Sequence, residues 1–295
     1  MGLNLDGIAV IGFGEAGQTF ASAGGWGGRA RAYDRLTEDA ATRDKKWTDY
    51  QVAGVVGSYT AADAVDGAEV ILSLVTADQA LAVAVEAAHS IAPGALYCDL
   101  NSVAPETKRA GARSIEAAGG HYIDVAVMSP VQPAAMVVPL LLSGAKAEDA
   151  ARALARLGFT NIRVVGREVG RASSSKMIRS VMIKGIEALS AECVLAASEA
   201  GVLDEVIASL DASWPGAVGG RRADYNLDRM MVHGLRRSAE MEEVVRTLDD
   251  LGVGSDMSRG TVVRQAAVGS LGLKVPPVGL LAKIASVLNR RAKAA

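Results

Sequence analysis

Three polar side chains spaced four residues apart, Lys176, Ser180 and Lys184, fall on successive turns of one face if the segment is helical. Their neighbours Met177, Ile178, Val181, Met182 and Ile183 are apolar. The face therefore reads either as the wall of a closed crevice or as an ordinary strip of solvated lysines. In the first case, a lysine taken out of water loses part of its proton affinity, which suits it to exchange a proton with a substrate hydroxyl.

A second constellation stands near the start. Gly12, Phe13, Gly14, Glu15, Ala16 and Gly17 have the spacing GxGxxG and directly follow the apolar run Ile8–Ile11. There Gly12 makes a tight turn, Gly14 lets backbone approach a pyrophosphate, and Gly17 permits close helix–strand packing, with a helix N-terminus facing the phosphates. The next apolar run ends at Tyr33, Asp34 and Arg35, placing a carboxylate about 20 residues beyond the glycines, where it accepts hydrogen bonds from an adenosine ribose. Asp34 favours NAD because it repels a 2′-phosphate, while Arg35 beside it can bind that phosphate and keeps NADP open.

Two more groups close apolar runs: Val75 and Thr76 after Val70–Val75, and Asn101 and Ser102 after Ala95–Asp99. Open α/β sheets bind ligands outside the carboxyl ends of their strands, so both loops suit cofactor or substrate contact. Thr76 and Ser102 suit equally the capping of the helices that follow.

These residues need a particular frame. Short apolar runs at Ile8–Ile11, Arg29–Tyr33, Val70–Val75, Ala95–Asp99, Tyr122–Val127, Val137–Leu142 and Ile162–Val165 read as strands. Alanine-rich stretches at Asp78–Ser90, Pro105–Ala118 and Ala147–Leu157 read as helices between them. The alternation predicts an α/β domain over residues 1–168 with a doubly wound, largely parallel Rossmann-type sheet. Residues 169–295 carry no strand pattern and predict an all-helical domain that begins with a long helix over Ser173–Ala200. Turn signals at residues 211–216 and at Leu251–Ser255 divide the rest. The apolar stripes of this half exceed what a small helical domain buries alone, which predicts a homodimer.

Composition narrows the class. The 295 residues are 50% hydrophobic and 4% aromatic, and 31 basic residues nearly cancel 33 acidic ones. Mean hydropathy is +0.21 and the sequence pI about 6.0, which excludes a disordered polyampholyte and argues against nucleic acid as a partner. No apolar run reaches the roughly 18 residues of a membrane span, and no signal-peptide pattern precedes the glycine turn, so a cytoplasmic location with a small-molecule substrate is expected. Cys98 and Cys193 lie far apart, form no metal-ligand pair and read as buried thiols; no metal site is expected.

From Ile8 to about Ala200 the order of motifs resembles the β-hydroxyacid dehydrogenases, the group holding 3-hydroxyisobutyrate and 6-phosphogluconate dehydrogenases. The glycine turn matches the family's cofactor turn, and Asp99, Leu100, Asn101 and Ser102 match its DxST or DGGNS segment. Asp124 to Pro130 stands where the family has DAPVSGG, and Gly170 to Ser180 where it has GxGxxxKxxxN. The resemblance implies a Rossmann domain, a dimerising helical domain and Lys176 as catalytic acid/base with Ser180 beside it. It also implies that Asn101, Ser102, Met128, Ser129 and Lys184 orient the substrate. The helical half resembles a poorly characterised phosphogluconate-dehydrogenase-like branch through Met231 to Glu242, where His233, Arg236 and Arg237 either reach an anionic substrate or serve as a structural histidine and a solvated face.

Departures from the pattern bear on the chemistry. Met128, Ser129 and Pro130 replace Ser-Gly-Gly, and the proline removes one backbone donor for a substrate carboxylate. Ala172 replaces the second glycine of the lysine motif, Ser180 its asparagine, and Ile183 stands where decarboxylating enzymes carry a glutamate. The expectation is an NAD(P)-dependent, non-decarboxylating dehydrogenase that interconverts a small hydroxy compound, commonly a hydroxy acid, and its carbonyl. An imine reductase on the same scaffold is the competing enzyme class, against which the retained Lys176 speaks. A nucleotide-binding module without catalysis is the third reading.

Overall fold

The structure is a computed structural model that describes residues 7–213, 220–252, 254–273 and 275–294. It divides into two compact units, Met1–Lys176 and Met177–Ala295. The first holds strands β1 (Ile8–Ile11), β2 (Ala30–Tyr33), β3 (Val56–Gly57), β4 (Val70–Ser73), β5 (Leu96–Asp99), β6 (His121–Val127), β7 (Leu140–Ser143) and β8 (Ile162–Gly166). Helices α1 (Glu15–Ala23), α2 (Arg43–Ala53), α3 (Ala61–Val65), α4 (Ala80–Ala87), α5 (Pro105–Ala117) and α6 (Ala147–Arg156) connect them.

One eight-stranded sheet results, in the order β3-β2-β1-β4-β5-β6-β7-β8, parallel throughout except where β7 runs antiparallel to β6. Strand β1 reads Ile-Ala-Val-Ile because helices cover both faces of a parallel sheet, and all four residues are buried. Ile8 and Val10 pack on one side with Phe13, Phe20, Trp26 and Phe159, while Ala9 and Ile11 pack on the other with Tyr97, Ile115 and Tyr122. The chain leaves β1 in one direction for β2 and returns in the other to β4, so the order reverses between β1 and β4. That reversal opens a crevice at the carboxyl ends of these two strands, the usual ligand position in such a sheet.

Most predicted elements form within a residue or two of their expected ends, with two instructive differences. β3 was not among the expected strands: it has two residues, and Val56 is half exposed at the sheet edge. The run Val137–Leu142 becomes strand only from Leu140, because Ala135–Val137 form a 3₁₀ turn and Pro139 has no N–H for a ladder.

The long helix α7 runs from Arg171 to Glu199, and its residues from Met177 onward belong to the second unit with α8 (Leu203–Ser213), α9 (Gly220–Asp250), α10 (Asp256–Gly269) and α11 (Leu280–Ala294). No strand occurs among its described residues, and no described helix is long and apolar enough to cross a membrane. The turn expected at residues 211–216 lies outside the described residues beyond Ser213. Cys98 is fully buried and its thiol is pushed up to about 12 by that burial, whereas Cys193 is only half buried, contrary to expectation.

The core of this unit gathers Val194, Leu195, Leu227, Met230, Ile284 and Val287. Two glycines let α9 and α10 meet backbone to backbone: a Cβ on Gly234 would stand 2.5 Å from the Gln265 carbonyl, and one on Gly269 would stand 2.4 Å from the Leu235 nitrogen. Neither obstacle is a flexible side chain, so a methyl group forces the helices apart. Gly234→Ala should lower the unfolding free energy by about 1–3 kcal/mol in denaturant titration, the usual cost of overpacking. An unchanged midpoint would contradict the close crossing.

Candidate active site

The glycine turn connects β1 to α1 and has the shape a dinucleotide needs. Gly12 adopts φ +88°, and a Cβ there would lie 2.4 Å from the Leu74 carbonyl at the end of β4, so only glycine fits the reversal point. A Cβ on Gly17 would stand 2.7 Å from the Gly12 carbonyl. Around Gly14, by contrast, a Cβ would meet no atom within 4 Å. Gly14 is also the N-cap of α1 and supplies no side-chain acceptor, so the first amides of this helix are left for a ligand. Glu15 is exposed in the first turn, Ala16 is half buried, and Phe13 is buried against Tyr50 at 5.1 Å between ring centres.

Asp34 stands at the end of β2 and ties the turn to that strand. Its Oδ2 accepts from the Phe13 N–H at 2.8 Å and its Oδ1 from the Leu36 N–H at 3.0 Å. Lys46, buried on α2, donates to the Phe13 carbonyl at 2.9 Å, pairs with Asp49 at 2.9 Å and lies 4.0 Å from Asp34. Sequence reading passed over Lys46, which looks like any lysine of a polar helix. Arg35 is exposed beside Asp34.

The loops after β4 and β5 lie next to one another. Asn101 ties this joint together: Oδ1 accepts from the Val75 N–H at 2.7 Å and Nδ2 donates to Ser73 Oγ at 2.9 Å. Thr76 occupies the N-cap position of a short 3₁₀ turn, Ala77–Gln79, without a side-chain cap bond. Its hydroxyl instead helps hold the Asp78 carboxyl below the ordinary range, with Gln79 second.

Ser102 does not cap α5. The N-cap is Ala104, and Pro105 at the first helical position has no N–H that needs a partner. Ser102 Oγ accepts from Lys176 Nζ at 2.5 Å, and both side chains are half buried. Three expected residues thus stand in sequence within the first unit: Asn101 bonded to the Ser73 hydroxyl and the Val75 N–H, Ser102 after it, and Lys176 Nζ on Ser102.

On the β6–β7 connection, the Met128 N–H donates to the Pro139 carbonyl at 2.9 Å and its side chain packs with Ala126, Leu141 and Ala172. Ser129 is half buried, and its hydroxyl donates to the Pro130 carbonyl at 3.2 Å. In the second unit Ser180 is buried on α7 and His233 half buried on α9. Lys184 is buried and donates to Glu240 at 2.6 Å; burial lowers its proton affinity while Glu240 opposes that shift.

Two expectations need correction here. Ile178 and Met182 are 49% and 63% exposed, so the apolar flank of the lysine face is not closed on that side. Arg237 is no solvated residue: it is buried and paired with Glu187, its Nε donating at 3.0 Å, while Gln265 donates to the same carboxylate at 3.1 Å. Arg236 is exposed and lies 3.4 Å from Glu240.

Sequence reading also missed Lys108, which is fully buried between Asp99 and Asp124 at 3.0 and 3.5 Å. Its one signal is position: on α5 it shares the inward face with Gly111, Ala112 and Ile115.

Comparison with known proteins finds relatives of this fold. A domain of unknown function, DUF1932, matches residues 197–268. A conserved hypothetical protein from Sinorhizobium meliloti is 38% identical, with 96% of each chain covered and a TM-score of 0.75. A conserved protein of unknown function, described as structurally similar to 3-hydroxyacid dehydrogenases, is 29% identical over 90% of this chain and 98% of its own, with a TM-score of 0.69. The 3-hydroxyisobutyrate dehydrogenase of Mycobacterium tuberculosis, solved with L-serine, shares the fold at 16% identity, over 96% of this chain and 98% of its own, with a TM-score of 0.71. The NAD binding domain of 6-phosphogluconate dehydrogenase matches residues 7–165, more than half of the chain, and the protein belongs to that family of NAD(P)-binding, dehydrogenase-like proteins.

Proposed function

We propose that the chain is an oxidoreductase that interconverts a small hydroxy compound, with a hydroxy acid the favoured class, and its carbonyl, without decarboxylation. The observation that carries this reading is the Lys176 ammonium on the Ser102 hydroxyl at 2.5 Å, at the carboxyl end of β5. A dinucleotide held at the Gly14 opening supplies the hydride chemistry when bound. The chain's own residues do the rest. Lys176 takes the hydroxyl proton at Nζ when its amine is neutral and returns it in the reverse direction. Ser102 orients that amine, and Ser129 and Ser180 are the remaining hydroxyls assigned to the substrate. Asn101, bonded to the Val75 N–H and to Ser73, holds the loop that carries Ser102. Met128 offers an apolar wall, and Lys184 reaches a substrate only as the Lys184–Glu240 pair. His233, half buried on α9, is the second unit's further candidate for substrate contact.

Replacing Lys176 by alanine should leave dinucleotide affinity intact and lower kcat by about 10²–10⁴, the usual worth of a placed acid/base. A spectrophotometric panel of hydroxy acids, hydroxy ketones and their phosphates, read with both dinucleotides, finds the substrate. Turnover of the alanine variant near the parent rate would remove Lys176 from the mechanism.

In this reading Asp34 favours NAD, while Arg35 beside it keeps NADP open. Its carboxylate keeps lone pairs for ribose hydroxyls beyond the two amides it already accepts, and it repels a 2′-phosphate that Arg35 alone attracts. Asp34→Ser should narrow the ratio of NADP to NAD dissociation constants by about tenfold, the scale of one charge-assisted hydrogen bond. Calorimetric titration measures both constants, and an unaltered ratio would place cofactor choice elsewhere.

The same reading includes a homodimer through the second unit. Ile178, Met182 and Leu189 form one exposed stripe on α7, and Tyr225, Val232 and Leu235 are exposed on one side of α9. Light scattering should return twice the mass of the 30.4 kDa chain, and a single-chain mass at micromolar concentration would refute the assembly.

A further inference from the structure

The contact between Ser102 and Lys176 joins two segments that are far apart in sequence, and each is held by a different buried carboxylate. Asp99, at the end of β5, accepts from the Asn101 N–H at 2.8 Å through Oδ1 and from the Tyr122 hydroxyl through Oδ2. That fixes the start of the loop carrying Ser102. Asp124 on β6 holds the start of α7: its Oδ2 accepts from the Gly170 N–H at 3.1 Å, the Ser173 N–H at 2.9 Å and the Ser173 hydroxyl at 2.9 Å. Ser143 donates to the same oxygen at 3.2 Å while accepting the Ala172 N–H at 3.0 Å. Lys176 follows one turn after Ser173, so Asp124 anchors the turn from which the amine projects.

The two carboxylates are in register on neighbouring strands, and one cation stands between them. Lys108 Nζ lies 3.0 Å from Asp99 Oδ1 and 3.5 Å from Asp124 Oδ1, and it donates to the Asp99 carbonyl at 2.6 Å. Asp124 Oδ1 is buried without a hydrogen-bond partner, and the Lys108 ammonium 3.5 Å away is the cation beside it. Lys108 and Asp124 are 0% exposed and Asp99 2%. Taking three charged groups out of water is costly, and a hydrophobic trio of similar volume would do for stability alone. What the charges add is directional: Asp99 Oδ1 takes both Lys108 and the Asn101 N–H, and Asp124 gives Oδ1 to Lys108 and Oδ2 to the start of α7, so each carboxylate joins the clasp to a chain segment that leads to the Ser102–Lys176 pair.

We propose that Lys108 is a positioning residue for Lys176: by clasping Asp99 and Asp124 it locks the loop after β5 to the first turn of α7 and so sets the Ser102–Lys176 contact. The importance of that contact for turnover rests on the acid/base role given to Lys176; the geometry itself does not.

The test therefore reads geometry first. In full-length protein labelled with carbon-13 at lysine only, the Lys176 side-chain resonance is identified by its loss in Lys176→Ala, and Ser102→Ala gives its position without the hydroxyl partner. Lys108→Met and Asp124→Asn should each move the Lys176 resonance at least halfway towards that position, with unchanged dinucleotide affinity. A resonance that stays in place in folded Asp124→Asn, which keeps the acceptor oxygen and the shape but not the charge, would overturn the proposal. That variant decides alone if Lys108→Met fails to fold. A parent protein that turns over no hydroxy compound would end the acid/base reading and leave this result standing. If turnover is found, both variants should lose kcat by about tenfold with little change in KM for the dinucleotide, whereas a general loss of stability would be seen instead in the unfolding midpoint.

Discussion

An ammonium group buried between two carboxylates is a demanding feature to fold around. Once Lys108 is out of water it must keep both partners, because a lone charge left behind in a site of 0–2% exposure costs about 3–5 kcal/mol. The cost couples elements that the chain connects only distantly. β5, β6, α5 and the start of α7 have to arrive together, since the trio is drawn from the first three and caps the fourth. The same constraint defines the functional end of the sheet. Asp99 is the last residue of β5, and the segment it holds leads into the loops that border the crevice between β1 and β4.

Polar groups at that end of the sheet are of two kinds, and the difference separates framework from site. Asn101 accepts from the Val75 N–H and donates to Ser73 at the end of β4, and Asp124 Oδ2 accepts four donors. Such groups have little left for a ligand and act by holding backbone. The N-terminus of α1 is the opposite: Gly14 presents open space, and no side chain caps the amides behind it. An anion entering there gains hydrogen bonds that the protein leaves unmade and the favourable end of the helix dipole as well. The family match over residues 7–165 accords with this division of labour, since the portion that matches contains the glycine turn and both strand-end loops.

How much of this could be read in advance depended on whether local pattern or distant packing decided each residue. β1 was legible because helices on both faces require an unbroken apolar strand, and the glycine turn because a Cβ at Gly12 has nowhere to go. β3 was not, because two residues at an exposed edge carry no period. Ser102 suited a cap and a ligand contact equally in the sequence, and the structure makes Ala104 the N-cap of α5 without a side-chain cap bond. Lys108, Lys46 and Arg237 were the least visible. Each lies among charged neighbours in a helix with a strongly polar segment, and nothing local distinguishes an inward lysine from an outward one. Lys108 and Arg237 find partners 9 and 50 residues away, and Lys46, besides its local pair with Asp49, donates to the Phe13 carbonyl 33 residues away, so the selection is tertiary.

The buried ion pairs also differ in what they can do for a reaction. In the second unit, Arg237 with Glu187 and Lys184 with Glu240 link helices to helices, and the cations are satisfied by the carboxylates they meet. A substrate anion would have to compete with Glu240 for Lys184 and would gain little, because replacing one carboxylate by another leaves the charge balance unchanged. Lys176 Nζ meets a hydroxyl, Ser102 Oγ, at 2.5 Å. Ser102 sits on the loop after β5 and Lys176 on the first turns of α7, so this contact is set by the framework of the first unit, whereas Lys184 is set by a helix–helix pair of the second.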